Sequence, residues 1–390
     1  MEIAFLTLNA KSALYYSLAR TFAQNGHHVT VITPNQKFSN HIEKNGLIDF
    51  VCFKALPIAG VRGIKKGIAD FLFSFFCKKG LRRLYKTKAD LIIATTPPLG
   101  FYGSIKLLKK RNLKAKSYLI LRDIWPEAFK LFDFDKKHPI IYEYYLIQER
   151  RLYAVSDIIG CMSQGNLDFI KENNPQFPQK RLKLLPNWGD CEPYFAPNSS
   201  IRDKYNLEGK FVLVYGGNMG VPQGLSNILE LASMKKDCKD VVFLLVGDGT
   251  ERGKIEKQII KEGLTNVKIM NSLPRDDYDE LLRTCDVGLI SLNKKLKTPS
   301  IPSKTISYWN LQIPILAIID NVTDYGKILD TSLSGLWSTP DDVSKTSSNF
   351  DLLYQNPQLR KELGENGYHY LESFCSAQNA YLQILEQLGI

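Results

Sequence analysis

Three loops in the second half of this 390-residue chain have the composition of an anion site. The apolar run Phe211–Tyr215 reads as a strand and ends in Gly216-Gly217-Asn218-Met219-Gly220, with Val221-Pro222-Gln223-Gly224-Leu225 opening the next helix. Glycine after a strand lets backbone N–H groups approach phosphate-type oxygens with no Cβ in the way, and a following helix adds the positive end of its dipole. Ser300-Ile301-Pro302-Ser303-Lys304-Thr305 leads into a helix expected over Ile306–Leu311 and puts a lysine in its first turn, where a cation and backbone donors converge on one anion. Gly247-Asp248-Gly249 after the strand Val241–Val246 is a third such loop, weak alone because G-x-G is common.

In the first half, Arg122-Asp123-Ile124-Trp125-Pro126-Glu127 follows the strand Lys116–Leu121. Asp123 and Glu127, one helical turn apart, are the best candidates for a carboxylate base if the chemistry needs one. Asp123 competes with a structural role as a helix cap before Pro126. Asn9, in the loop after the first strand, and Thr95-Thr96-Pro97-Pro98 are positioned to line a second ligand side. Asp133-Phe134-Asp135 has the oxygen ligands of a divalent-ion motif, but so short a match arises easily by chance, and no metal is expected. His27, between a glycine helix stop and a strand, reads as a packing residue. The seven cysteines form no C-x-x-C pair and no His cluster, which suggests reduced thiols rather than zinc or a Cys/His nucleophile.

The net charge of +11 is unevenly spread: Gly60–Lys88 carries nine lysines and arginines against the single acid Asp70. Ile64, Ile68, Phe71, Leu72, Phe75 and Phe76 follow helical spacing within it, flanked by Lys78, Lys79, Arg82 and Arg83. Aromatic residues so flanked suit a helix lying on an anionic bilayer, with a core helix that has a solvated basic end as the plainer reading. A second basic run, Lys106–Lys116, extends the charge. No helix-turn-helix, zinc-finger or RNP-type pattern accompanies it, so nucleic acid is not an expected partner. No apolar run approaches the ~20 residues of a membrane span, and the N-terminus lacks a basic n-region. The expectation is a cytoplasmic chain that contacts the inner membrane peripherally.

These loops need sheets to hold them. Short β-rich runs alternate with amphipathic helical segments throughout, which argues an α/β protein with parallel sheets. The irregular stretch after Pro186-Asn187-Trp188-Gly189-Asp190, through Pro193 and Pro197, marks a boundary. We expect a first domain over 1–190, a second over 198–370, and a terminal segment 371–390 whose helix Ala377–Leu388 packs back on the first. Two doubly wound domains facing across a cleft would direct the carboxyl ends of their strands, the usual ligand positions, toward one gap.

At this point the residues carry a resemblance. The succession YGGNMGVPQGL, LLVGDGTER, N-S-L-P-R, CDVGLISL and PSKTISYW, closed by PILAII, resembles the donor-binding domain of glycosyltransferase family 4, whose fold is the two-domain GT-B architecture. GHHVTVIT, ATTPPLG, RDIWPE and PNWGD agree in the first half. The likeness is greatest to a bacterial surface-polysaccharide branch that includes L-N-acetylfucosamine transferases, where D-x-W-P-E, G-N-x-G-x-x-Q-G-L and P-S-K recur.

The resemblance implies a UDP-sugar, such as one carrying an N-acetylated deoxyhexosamine, held by the second domain. It further implies retaining, metal-independent transfer to an undecaprenyl-diphosphate-linked glycan in capsule, O-antigen or exopolysaccharide synthesis. Gly217 and Asn218 would approach the donor phosphates, Lys304 with N–H groups of Ser303, Thr305 and Ile306 would neutralise the leaving diphosphate, and Leu273, Pro274 and Asp248 would lie at the nucleobase. Asn9, Thr95 and Thr96 would line the acceptor side. This chain departs from the family where many members have an Arg and a Lys, having Asn218 and Gln223. It has Pro299 and Ser307 in place of the usual glutamate pair, which leaves Lys304 as the principal charged phosphate ligand. Other readings are a GT-B UDP-sugar 2-epimerase, which would need no lipid acceptor, and a silent sugar-nucleotide-binding scaffold, which would bind UDP and release none.

Overall fold

The computed structural model describes the chain except residues 11, 36–38, 58–62 and 192–199, and except the side chains of 45 and 63–66. Arg62, Ile64, Lys65, Lys66, Pro193 and Pro197 therefore lie outside the described residues or side chains. Two compact units emerge, Met1–Trp188 together with Ala377–Ile390, and Gly189–Ser376.

The first unit carries strands β1 (Glu2–Leu6), β2 (His28–Asn35), β3 (His41–Asn45), β4 (Ile48–Lys54), β5 (Leu91–Thr95), β6 (Lys116–Leu121), β7 (Ile158–Cys161) and β8 (Leu182–Leu184). Its helices are α1 (Ala13–Gln24), α2 (Gly63–Leu84), α3 (Tyr102–Arg111), α4 (Phe134–Lys137), α5 (Pro139–Val155) and α6 (Gln164–Asn173). The second unit has α7 (Ser200–Lys204), β9 (Phe211–Asn218), α8 (Ser226–Met234), β10 (Val241–Asp248), α9 (Arg252–Glu262), β11 (Val267–Met270), α10 (Arg275–Arg283), β12 (Val287–Ser291), α11 (Lys304–Asn310), β13 (Ile315–Ile318), α12 (Tyr325–Ser332), β14 (Gly335–Ser338), α13 (Val343–Gln355) and α14 (Pro357–Phe374). The last helix, α15 (Ala377–Leu388), belongs to the first unit.

Continuous apolar runs set the central strands. Every residue of β5 and β12 is buried, as expected for parallel strands with helices on both faces. The first sheet runs β3-β4-β2-β1-β5-β6-β7-β8 and the second β11-β10-β9-β12-β13-β14. Their neighbours pair in parallel except for β3 against β4. In each, strand order reverses beside the unit's first strand, at β1/β5 and at β9/β12, where loops diverge and leave a crevice at the carboxyl ends.

Helix α1 buries Leu18, Ala19, Phe22 and Ala23 along one face and stops before Gly26, whose φ of +80° is a conformation glycine adopts at no steric cost. α15 packs against it: the Tyr381 ring meets Phe22 edge-on at 4.8 Å, and its hydroxyl lies 3.1 Å from His27 Nε2. The Tyr118 hydroxyl donates to Gln387 at 2.7 Å, which fastens the same helix to β6. His27 thus has the packing role its position suggested.

Candidate functional site

In the second unit the glycine run is strand rather than loop. β9 continues through Gly216, Gly217 and Asn218, in register with Val246, Gly247 and Asp248 of β10. Crowding, by a side chain at one and by backbone at the other, explains two of the glycines. A Cβ on Gly216 would collide with the Tyr278 hydroxyl from α10, and one on Gly247, at φ +150°, with the Gly217 carbonyl. After Asn218 the chain makes a single 3-10 turn at Val221–Gln223 and a left-handed step at Gly224 before α8, so the dipole expected at Val221 starts five residues later, at Ser226.

Lys304 opens α11 and reaches back over this strand. Its Nζ lies 3.4 Å from the centre of the Tyr215 ring and 3.9 Å from where a Cβ on Gly217 would stand. Surrounding protein desolvates the ammonium and pulls its pKa well below the ordinary lysine range, with no compensating carboxylate among the described residues. The aromatic face recovers part of that cost. A cation so held is the complement of an anion at the end of β9.

The other donor-side residues divide. Gly217 and Asn218 are exposed beside Lys304, and Asn218 Nδ2 donates to Gln223 Oε1 at 3.2 Å, an oxygen that also accepts from the Gly220 amide. Asp248 is exposed and accepts from the Gly249 amide at 2.7 Å. Leu273 and Pro274 follow β11, with the Pro274 carbonyl accepting from the Tyr278 amide. Thr305 and Ile306 differ from expectation: their amides donate within the turn, to Pro302 and Ser303 carbonyls, and the buried Thr305 hydroxyl pairs with Tyr325 at 2.7 Å. A tight first turn uses the donors assigned to a ligand.

In the first unit Asp123 is exposed and lines a cavity of about 670 Å³ together with Leu8, Pro97, Pro98 and Trp125. The protein around it raises the Asp123 pKa, and Arg122 opposes that shift. Asp123 caps no helix; the short 3-10 helix starts at Glu127, after Pro126. The expected pairing with Glu127 on one face does not form. Glu127 is buried, receives the Tyr142 hydroxyl at 2.5 Å on Oε1 and pairs with Lys130 at 2.5 Å on Oε2, so it is a structural anchor. Asn9 is exposed in the loop after β1. Thr95 and Thr96 are buried: Thr95 Oγ1 donates to Thr7, while Thr96 Oγ1 accepts from the Arg122 amide and donates to Ile120 O. The prolines after them form the wall that the threonines were expected to form.

Arg122 was overlooked as a chemical group because its neighbour carries the carboxylate. Its guanidinium stacks 4.4 Å from the Trp188 ring centre and is buried beside Tyr15 and Asp123, and burial pulls its pKa down to about 10 against the opposing pull of those two groups. It remains a cation near neutral pH, fixed behind Asp123. Tyr215 and Tyr278, which seat Lys304 and Gly216, were also unmarked; each looks like an ordinary core aromatic in one dimension.

On α2, Lys79, Arg82, Arg83 and Phe75 are exposed, Phe76 is half-buried against the core, and the Lys78 stem turns inward over Gly103. No helix among the described residues is long and apolar enough to cross a membrane.

Two doubly wound, mostly parallel sheets, with a lysine over the first strand of one and a carboxylate in a cavity of the other, are the arrangement expected of a GT-B glycosyltransferase. Comparison with known proteins agrees. Residues 13–192 match the model of Glycosyltransferase Family 4, and 198–370 that of Glycosyl transferases group 1. Among curated relatives, the probable glycosyltransferase WbjE of Pseudomonas aeruginosa is 26% identical over 75% of this chain and 72% of its own. The putative colanic acid biosynthesis glycosyl transferase WcaI of Escherichia coli is 25% identical over 66% and 63%. Among solved structures, sucrose-phosphate synthase from Thermosynechococcus elongatus superposes with a TM-score of 0.78 at 15% identity, covering 99% of this chain and 97% of that one. Anabaena HepE, in complex with UDP and glucose, gives 0.72 at 16% identity over 100% and 99%, a likeness that speaks to the fold. The two models together span most of the chain, the Family 4 model its first part and the group 1 model its second, and the chain is a glycosyltransferase.

Proposed function

We propose that this enzyme transfers a sugar from a UDP-sugar to a lipid-diphosphate-linked glycan during surface-polysaccharide assembly. The observation that carries the donor half is Lys304, a desolvated cation held over the Tyr215 ring and facing the glycine end of β9, with no carboxylate beside it among the described residues. Cleaving a sugar–phosphate bond leaves negative charge on the diphosphate, and a fixed cation in a low-dielectric setting stabilises that charge as it develops. UDP as the nucleotide is supported by relatives of the same fold, among them HepE, which was solved with UDP-glucose. Polysaccharide assembly is supported by the colanic acid role in the name of WcaI and by WaaG, a glycosyltransferase involved in lipopolysaccharide biosynthesis, with a TM-score of 0.71 at 17% identity.

With retention, a donor phosphate oxygen takes the acceptor proton and Asp123 orients the acceptor; with inversion, Asp123 is the base. In neither is a metal required, because Lys304 supplies the counter-charge. The L-N-acetylfucosamine-type donor belongs to this proposal as the first sugar to try. The membrane side of the proposal rests on the exposed Lys79, Arg82, Arg83 and Phe75 of α2. A panel of UDP-sugars incubated with an undecaprenyl-diphosphate-linked acceptor, reading released UDP and product anomeric configuration, tests it. UDP release dependent on the lipid-linked acceptor is expected. Turnover without any acceptor lipid would favour an epimerase, and UDP binding without release a silent scaffold.

A further inference from the structure

The cavity beside Asp123 has a mixed lining. Seven aromatic rings, from α2, α3, α5 and the segment after β6, make up much of its wall, with Ser74 and Gln148 as neutral polar members among them. At about 670 Å³ it has the size of a small-molecule pocket rather than a packing gap. Two cations share the lining, Lys78 and Arg151. Both come to the start of α3, the Lys78 stem 3.1 Å from where a Cβ on Gly103 would stand and the Arg151 guanidinium 5.8 Å from the Tyr102 ring centre. Neither has a carboxylate partner among the described residues. Of the two acids in the lining, Asp70 accepts the Tyr145 hydroxyl at 3.0 Å, and the other is Asp123.

The opening is apolar. Phe71 and Phe75 line the cavity and are still 64% and 56% exposed. Ile68 extends this surface along α2, and the Phe71–Tyr144 ring contact at 5.9 Å joins it to α5, where Ile140, Ile141 and Ile147 are exposed. α2 thus has two apolar faces: Ala69, Phe73, Cys77 and Leu81 enter the core while Ile68, Phe71 and Phe75 face outward. A helix apolar on both sides with one side uncovered calls for an apolar partner. The exposed Lys79, Arg82 and Arg83 beyond it favour an anionic lipid surface over a protein one.

We propose that this cavity receives the apolar chain of a membrane-lipid acceptor, with Lys78 and Arg151 holding its phosphate-type head. The inference rests on reading the first unit as the acceptor side and adds which part of the acceptor is recognised and by which residues. It commits the enzyme to the chain of its acceptor as well as to the sugar.

Calorimetry on the full chain separates the two ideas, with farnesyl diphosphate, inorganic diphosphate and UDP titrated individually. Farnesyl diphosphate is expected to bind saturably and at least about 100-fold more tightly than inorganic diphosphate, since each buried methylene contributes about 0.8 kcal/mol. Ala128→Trp, which fills the cavity, should remove that preference. Should that variant fold poorly by circular dichroism, the Lys78→Ala/Arg151→Ala double variant, whose changes shorten side chains, should weaken farnesyl diphosphate binding about tenfold or more. Equal affinity for the two diphosphates, or farnesyl diphosphate binding indifferent to the variants, overturns the inference. So does absence of farnesyl diphosphate binding, and the UDP titration then shows whether the donor reading stands without it.

Discussion

The two units share a strand order logic and differ in what they place at its reversal point. In the second, the end of β9 is built from backbone: Gly216 pressed against Tyr278, Gly247 against the Gly217 carbonyl, and one lysine held over an aromatic ring. In the first, the loops after β1, β5 and β6 contribute leucines, prolines, Trp125 and the exposed Asp123 to a cavity walled largely by aromatic rings with polar side chains among them. The difference is chemical. A diphosphate is small and invariant, and would be gripped by a cation and close backbone approach, whereas the proposed acceptor with an apolar portion would be recognised by side-chain surface spread over several elements.

The contrast is broken most directly at Lys304. Lys304→Ala should lower kcat/KM by about 10²- to 10³-fold, the scale for removing one fixed transition-state donor. Lys304→Met should do the same and raise Tm, because the desolvated ammonium is replaced by an apolar chain of similar length. Near-wild-type turnover in either would move the diphosphate elsewhere.

Next in size is the split between the two carboxylates of the first unit. Asp123→Asn should lower kcat by about 10²-fold or more with little change in Tm if it handles the proton. Glu127→Gln should instead cost about 1–3 kcal/mol of stability through its Tyr142 and Lys130 partners and leave kcat nearly intact. Paired denaturant melts and steady-state kinetics distinguish them, and equal kinetic losses would restore Glu127 to the site.

Replacing Lys79, Arg82 and Arg83 together with Ser should weaken sedimentation with anionic vesicles by about 1 kcal/mol per charge and leave UDP binding unchanged. Unaltered sedimentation would return α2 to a purely structural role.

The finest test is pH. Burial depresses the Lys304 pKa, so above that value the side chain is neutral and must take up a proton when a diphosphate binds; below it the cation is already present. UDP affinity should therefore be flat at low pH and fall about tenfold per unit as pH rises through the depressed pKa, with proton uptake visible as a buffer-dependent binding enthalpy. Affinity that stays level across that window would mean the lysine does not charge on binding.

Much of the architecture was legible because central parallel strands are long apolar runs punctuated by glycine and helix stops. β3, β8 and β14 are the least legible strands, and all three lie at sheet edges. β3 reads His-Ile-Glu-Lys-Asn, and edge strands carry charge to discourage pairing, so the apolar signal that marks their neighbours is absent. Glu127 and Asp123 sit four residues apart, which suggests one face of an α-helix; Pro126 and the 3-10 turn that follows send them to different surroundings.

Local pattern fixed the alternation of strands and helices, the clustering of charge near α2, and the presence of a lysine and glycines next to strand ends, because each depends on residues within a few positions of one another. Which amide donors are already engaged, which carboxylate is exposed, what seats Lys304 and where seven aromatic rings line a cavity were decided by packing between elements far apart in the chain. Desolvation and steric exclusion are properties of the filled volume around an atom, and that volume comes into being only when the chain folds.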